Sequence, residues 1–521
     1  MDTECREVSR SPTGFGIAAI HALVIVLSLA GPALILFDSF RHDGRFALRA
    51  WRNVFADWSR WQTLLSNTGV VALCAVTLSC VLGIALAGLL FKANIRGRLA
   101  GIGLLLLAAA VPLYAVNGAA ASIIGLDSLR GSTIAVGLIH AAAHLPIVVL
   151  LIGFALRGVP AAAEEAALLD GATPLRAFLL ITMRLGIGGV VAAVVVVLLW
   201  VLTDYSVSDI LMVRTFAEEV YTQYALHSRP EEPALVCVPQ ILLFGGLLWT
   251  LRRSFLTPTS SMETVRAGYR FNVGRWRTPL SVLAVVIPLA IVVALLIALV
   301  APLRASPNPL HVASWFVDEL TTSLITSAAA GMIAAGLGVG IAWTIVRKPR
   351  WRPLLAAYVV TMLAIPAPII GMGLIRMFNR PGAAGWLYDS PAILTVAYVV
   401  RFLPIAVILL IPAVRTLPIE CEQAARADGC SQLGVWHRIV WPPCYRMVLV
   451  VVFIVTVLAI GELPCSILVT PPGFNTVGAR FFSLVHYGMY PDAAMLCLLS
   501  IGSVLVPCAC LLLLLKHRLA D

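Results

Sequence analysis

Apolar stretches of about 18 to 25 residues recur along this chain, each long enough to cross roughly 30 Å of hydrocarbon as a helix. No other feature constrains the fold as tightly, because backbone in lipid must satisfy its own polar groups, and only helices and closed barrels do so. The stretches run near 15–37, 67–91, 99–124, 132–156, 186–203, 233–251, 280–302, 321–346, 353–376, 391–414, 446–469 and 492–515. They define an all-α membrane protein with about twelve transmembrane helices. Composition agrees: 60% of the 521 residues are hydrophobic and 12% charged, against about half and about a quarter in soluble domains. The first stretch follows a polar decapeptide and lacks a small-residue cleavage site, so it reads as a retained helix.

Basic residues assign the sides, since short cytoplasmic loops are enriched in Lys and Arg. Three groups fall on one side: Lys92, Arg96 and Arg98; Arg252, Arg253, Arg266, Arg270, Arg275 and Arg277; and Arg347, Lys348, Arg350 and Arg352. Both termini are expected there too, in the cytoplasm. Arg41, Arg45, Arg49, Arg52 and Arg60 fall on the other side, which an amphipathic, Trp-bearing segment lying on the interface would explain. The net charge of +11 thus reports topology and a bilayer partner, not nucleic acid. The eleven cysteines include no pair at metal-site spacing, and no metal site is expected.

An internal repeat organises the chain. The stretch "EEAALLDGATPLRAFLLITMRL" (Glu164 to Leu185) resembles "EQAARADGCSQLGVWHRIVWPP" (Glu422 to Pro443). One offset of 258 pairs Asp170-Gly171 with Asp428-Gly429, Ala166-Ala167 with Ala424-Ala425, Thr173 with Ser431, Ile181 with Ile439 and Asp204 with Glu462. Further upstream the offset is 255, pairing Gly83 with Gly338 and Ala87 with Ala342. We therefore divide the chain into a first six-helix half (1–252), a cytoplasmic linker (253–279) and a second six-helix half (280–521). Six is even, so the two halves enter the membrane with the same orientation, as parallel repeats.

Each copy of the repeated polar segment reads as two short helices around a tight turn. Asp170-Gly171 and Asp428-Gly429 supply the turn, because Gly accepts positive φ at little cost. Thr173 and Ser431 can cap the helix that follows, and Pro174 suits its first position. Small alanines beside such a reversal make a blunt knuckle that another protein could receive in a groove.

This pattern resembles the E-A-A-x-x-x-G-x(9)-I-x-L-P loop of ATP-binding cassette importer permeases, which docks as a coupling helix into the ATPase subunit. Glu165, Ala166, Ala167, Gly171 and Ile181 match in the first copy, where Met183-Arg184 replaces Leu-Pro. Ala424, Ala425, Gly429, Ile439 and Pro442 match in the second, where Gln423 replaces the glutamate and Trp441 the leucine. The fused double format, "VVRFLP" (Val399 to Pro404) and the stretch from Gly461 to Gly488 are similar to ferric iron importer permeases fed by a periplasmic binding protein. The resemblance implies a type I importer permease fold and a bacterial cytoplasmic membrane location. It also implies two ATPase subunits on the cytoplasmic side and a substrate-binding protein outside. This chain would be no enzyme and bind no cofactor, with ATP and Mg used by its partners. The sequence agrees, since a phosphate-binding loop needs Gly-Lys followed by Ser or Thr and none of Lys92, Lys348 and Lys516 follows a glycine. Thiamine, polyamine, phosphonate and sulfate importers share the helix plan and the loop.

Candidate pathway residues are few. Asp204 and Glu462 occupy matched places near the outer ends of the fifth and eleventh stretches, where a carboxylate faces a cavity or simply marks emergence into water. His140 and His144 lie one turn apart in the fourth, at a spacing that suits a metal or a structural pair. Arg401 is expected to meet an acid or a carbonyl. Pro112, Pro366 and Pro368 should kink the third and ninth stretches. An ion-driven secondary transporter is the rival class, and it has no need of paired knuckles.

Overall fold

The computed structural model describes residues 12–42, 45–46, 48–109, 111–226, 231–256, 269–305 and 309–519. Residues 257–268 of the expected linker, Arg266 among them, and both chain ends lie outside this set. The described chain is helical almost throughout, with one two-residue hairpin, Arg41–His42 paired antiparallel to Arg45–Phe46. A short helix, Arg49–Phe55, follows the hairpin within the arginine-bearing segment.

The long helices of the first half are α1 (Pro12–Asp38), α2 (Trp58–Ala87), α3 (Arg98–Ala109), α4 (Leu113–Ile124), α5 (Thr133–Arg157), the short α6 (Ala161–Leu169), α7 (Ile187–Thr203) and α8 (Val238–Leu256). The second half contributes α9 (Arg277–Val300), α10 (Val317–Arg347), α11 (Arg352–Ala364), α12 (Ala367–Phe378), α13 (Ala392–Arg415), the short α14 (Ile419–Ala427), α15 (Trp441–Ile460) and α16 (Tyr490–Leu519). Every apolar stretch of the sequence falls on one or two of these. Among the described residues seven helices are long and apolar enough to cross a membrane, or nine if each bent pair is one span. Arg98–Ala109, Val238–Leu251 and Tyr490–Leu505 are shorter apolar helices.

Proline sets the breaks. The residue before proline avoids the α region and proline brings no N–H to a helix, so α3 gives way to α4 at Pro112 and α11 to α12 at Pro366. The second break bends the chain by 102°. The stretch expected to run from 446 to 469 ends early. α15 stops at Ile460, because Gly461 leaves the helix and Glu462 turns back to bind the amides of Cys465 and Ser466.

Two compact units emerge, and their composition cuts across the sequence halves. One holds Phe55–Ala225, Met262–Leu320 and Thr476–Asp521; the other holds Met1–Val54, Leu226–Ser261 and Thr321–Asn475. In the first unit α2, α5 and α7 pack around Val71, Val148, Ile152 and Val197, and α9 joins them through Ala284. Phe271, within the linker, bridges to Ala93 and accepts from Asn94 N–H at 3.0 Å. In the second unit α1 packs on α12 and α11. Gly31 and Gly373 meet there so closely that a Cβ added to Gly373 would lie 2.7 Å from the Gly31 carbonyl carbon. Small residues let membrane helices approach this far, where no hydrophobic force drives them together. Ser28 Oγ and Tyr358 Oη lie 3.2 Å apart on the same face, and Arg376 Nε meets Asp38 Oδ2 at 2.8 Å beyond it. Each unit thus takes its first helix from the other half of the sequence.

Candidate functional site

The two knuckles share one local geometry. In the first, the Gly171 amide donates to the Leu168 carbonyl at 3.1 Å and the Ala172 amide to the Ala167 carbonyl at 3.0 Å. In the second, Gly429 donates to Arg426 at 3.0 Å and Cys430 to Ala425 at 2.9 Å. Both are Schellman closures of the preceding helix, which require a left-handed residue just beyond its end. Gly171 has φ +85° and Gly429 φ +80°, as the turn chemistry predicts. Thr173 then accepts from Arg176 N–H at 3.3 Å and Ser431 from Gly434 N–H at 3.2 Å, capping the next helix in each copy. Five-residue π turns follow at matched positions, Phe178–Thr182 and Trp436–Val440. Exposed apolar side chains crown the turns: Leu169 and Leu175 in the first copy, Leu433 in the second. Glu165, Ala166 and Ala424 are exposed, Ala167 is half-buried and Ala425 is buried.

A Cβ at Gly171 or Gly429 would meet nothing within 4 Å, so the backbone conformation and not space demands glycine. A β-branched residue there costs about 1 kcal/mol or more in the left-handed region. The resemblance implies coupling to an ATPase through these turns, and on that expectation the Gly171→Val, Gly429→Val double variant, correctly inserted in the membrane, holds its helices yet loses ATP-coupled transport. Uptake at the unmodified rate in vesicles would remove the knuckles from that role.

A carboxylate one residue ahead of the matched motif anchors each knuckle. Glu164 is fully buried, with its oxygens 2.7 and 2.8 Å from Lys92 Nζ, and it accepts from Thr182 Oγ1 at 2.6 Å. Glu422 accepts from Arg347 Nε at 2.7 Å and Trp343 Nε1 at 3.1 Å. Arg347 also donates through Nη2 to the Leu417 carbonyl at 2.5 Å. The family motif centres on Glu165 and does not include these pairs. The repeat offsets themselves point to them, since 258 carries Glu164 onto Glu422 and 255 carries Lys92 onto Arg347.

The pathway candidates are placed otherwise. Asp204 Oδ1 accepts from Ser206 N–H at 3.0 Å and Ser206 Oγ at 2.8 Å, capping the short helix Ser206–Ile210. Glu462 does the same for Ser466–Val469, accepting from Cys465 and Ser466 N–H at 2.8 and 2.9 Å. Each carboxylate therefore belongs to the local backbone, one in each compact unit. His140 Nδ1 and His144 Nε2 lie 3.4 Å apart, buried, and His144 stacks on Trp200 at 5.0 Å. Arg401 donates to the Ile365 carbonyl at 3.3 Å, an acceptor released by the break between α11 and α12. Its charge also acts on Glu462. Among the described residues no three or more His, Cys, Asp or Glu side chains gather in a way that could hold a metal ion.

Fold and site together define a multi-pass helical membrane protein with a duplicated polar knuckle. Residues 331–519, little more than a third of the chain, match the family described as binding-protein-dependent transport system inner membrane component. The sulfate transport system permease protein CysT of Synechocystis sp. (strain ATCC 27184 / PCC 6803 / Kazusa) is 25% identical over 215 residues, covering 39% of this chain and 73% of that protein. The putative 2-aminoethylphosphonate transport system permease protein PhnV of Salmonella paratyphi A is 26% identical over 217 residues, 41% and 77% of the two chains. The inner membrane ABC transporter permease protein YcjP of Escherichia coli (strain K12) is 29% identical over 128 residues, 24% and 44%.

Proposed function

We propose that this chain is the transmembrane permease subunit of an ATP-driven importer, with both knuckles received by ATPase subunits on the cytoplasmic face. One observation carries the reading: the knuckle is built twice, closure for closure, with an exposed leucine standing on a polar turn in each copy. A secondary transporter has no use for such a duplicate. The family match and the permease relatives support the same reading. On this reading a binding protein delivers cargo from outside, and nucleotide-driven closure of the ATPase pair drives the knuckles and reopens the pathway outward. Co-purification of an ATPase subunit with the tagged chain tests it, and its absence from a folded, membrane-inserted preparation would sink it.

For the cargo, ferric iron follows from the resemblance of Gly461 to Gly488. Trivalent iron prefers oxygen ligands, and Asp204 and Glu462 would offer it a passing acidic contact. The relatives named for sulfate and 2-aminoethylphosphonate favour a second reading, an oxyanion. The backbone hold on both carboxylates sits comfortably with that second reading. Uptake of radiolabelled ferric iron, sulfate and a phosphonate, measured side by side in proteoliposomes with the co-purified ATPase and its binding protein, separates them. If iron is the cargo, Asp204→Asn with Glu462→Gln slows its uptake and leaves assembly intact. Sulfate or phosphonate uptake without iron uptake would overturn the iron reading.

A further inference from the structure

The buried pair beneath each knuckle asks for a purpose beyond stability. Replacing a buried ion pair by apolar residues of similar volume is often neutral or stabilising, so ion pairing here is not the cheapest way to hold two helices together. The chain nevertheless keeps the arrangement twice, with different chemistry around it. Lys92 and Thr182 hold Glu164 in one copy; Arg347 and Trp343 hold Glu422 in the other. What the copies share is a geometry: a carboxylate from the knuckle helix bound to the last basic residue of the helix that leads into the preceding loop. Lys92 ends the π turn that extends α2, and Arg347 is the last residue of α10. A charge-assisted hydrogen bond fixes distance and direction where an apolar contact can slide.

The other side of each knuckle is built differently. There the chain enters the next span through a π turn in both copies, a wider and rarer backbone form that clusters at functional sites. In the first copy Leu179 and Leu180 of that turn are exposed, whereas the π turn on the near side, Gly88–Lys92, is packed with Leu90, Phe91 and Lys92 buried. In the first copy the following segment is also bent, by 65° between Pro174–Leu185 and Ile187–Thr203.

We infer that Lys92–Glu164 and Arg347–Glu422 are positioning pairs that lock each knuckle to the end of α2 or α10 as one rigid lever, while the π turn absorbs movement against the span that follows. The inference rests on the permease reading above. A push on the knuckle then turns α2 and α10 directly, and α7 and α15 follow through a compliant joint.

Spin labels report this in the full-length chain with its co-purified ATPase subunits in lipid nanodiscs, nucleotide-free and trapped with ATP and vanadate. Leu82, Leu175 and Ile187 are exposed positions suited to labelling. The expected result is an unchanged distance between labels at Leu82 and Leu175 and a shifted distance between Leu175 and Ile187. In Lys92→Met with Glu164→Met, which strands no charge, the first distance should broaden or shift on trapping. Labels at Met332 and Leu433 extend the test to the second copy. There Arg347→Lys should keep the fixed distance, and Arg347→Met with Glu422→Met should lose it. A Leu82 to Leu175 distance that moves with nucleotide in the unmodified chain overturns the lever, as does a double-methionine chain that stays rigid. Failure of the unmodified chain to retain any ATPase subunit fells the permease reading and the lever with it, whereas retention with a moving distance fells the lever alone.

Discussion

Lys92→Met is expected to lose about 3–5 kcal/mol of folding stability, the cost of leaving one member of a buried ion pair without its counter-charge. Glu164 is fully buried, and once Lys92 is gone the hydroxyl of Thr182 is, among the described residues, the one side-chain group bonded to it. A hydroxyl satisfies one lone pair and neutralises no charge. The loss should appear as a marked fall in the thermal unfolding midpoint of the detergent-solubilised chain. Lys92→Met combined with Glu164→Met should recover most of it, because both charges then leave the interior together. The mirrored change in the second copy should cost less. Arg426 stands 3.9 Å from Glu422 as a reserve cation, and Trp343 still donates to the carboxylate. A single Lys92→Met chain that unfolds within about 1 kcal/mol of the unmodified protein would contradict the buried-pair geometry.

The second large effect belongs to the crossing of α1 with α12. Valine at Gly373 would place its Cβ 2.7 Å from the Gly31 carbonyl carbon, and backbone cannot swing aside as a flexible side chain can. The helices must separate, and overpacking of this kind costs about 1–3 kcal/mol. The contacts that depend on the same approach, Ser28 with Tyr358 and Asp38 with Arg376, would loosen with it. Gly336→Val is the matched control, since a Cβ there meets nothing within 4 Å in a helix of the same unit. Thermal unfolding should fall for Gly373→Val and hold for Gly336→Val. Equal behaviour of the two would show that α1 is not docked through Gly31.

The helices were readable because lipid leaves a segment little choice: apolar length alone placed α5, α10 and α13 close to their observed bounds, whereas α2 begins at Trp58, nine residues ahead of the expected 67. Reading stopped short where short-range chemistry overrides hydropathy. The residues from Gly461 to Val469 are apolar enough to continue a span, yet Gly461, Pro464 and the capping carboxylate of Glu462 end it. The knuckles were legible to the residue, because positive-φ glycines and hydroxyl caps leave marks in sequence. Their anchors leave no local signature, since Glu164 and Lys92 are separated by seventy-two residues, and only the two repeat offsets taken together mark them. Which faces of α1 and α9 find partners was hidden for a related reason. Both are apolar on nearly every side, so hydropathy ranks no face above another.

The placement of α1 on a helix of the other half has a consequence for how the chain is made. Gly31 leaves the ribosome roughly 340 residues before Gly373. At about 5–20 residues per second, α1 must spend tens of seconds in the bilayer before its docking face exists. During that interval its small-residue surface is open to whatever lies alongside, including the α12 of a neighbouring chain already completed. Synthesis as one continuous polypeptide tethers each α1 to its own α12 and so raises their mutual concentration above that of any stranger.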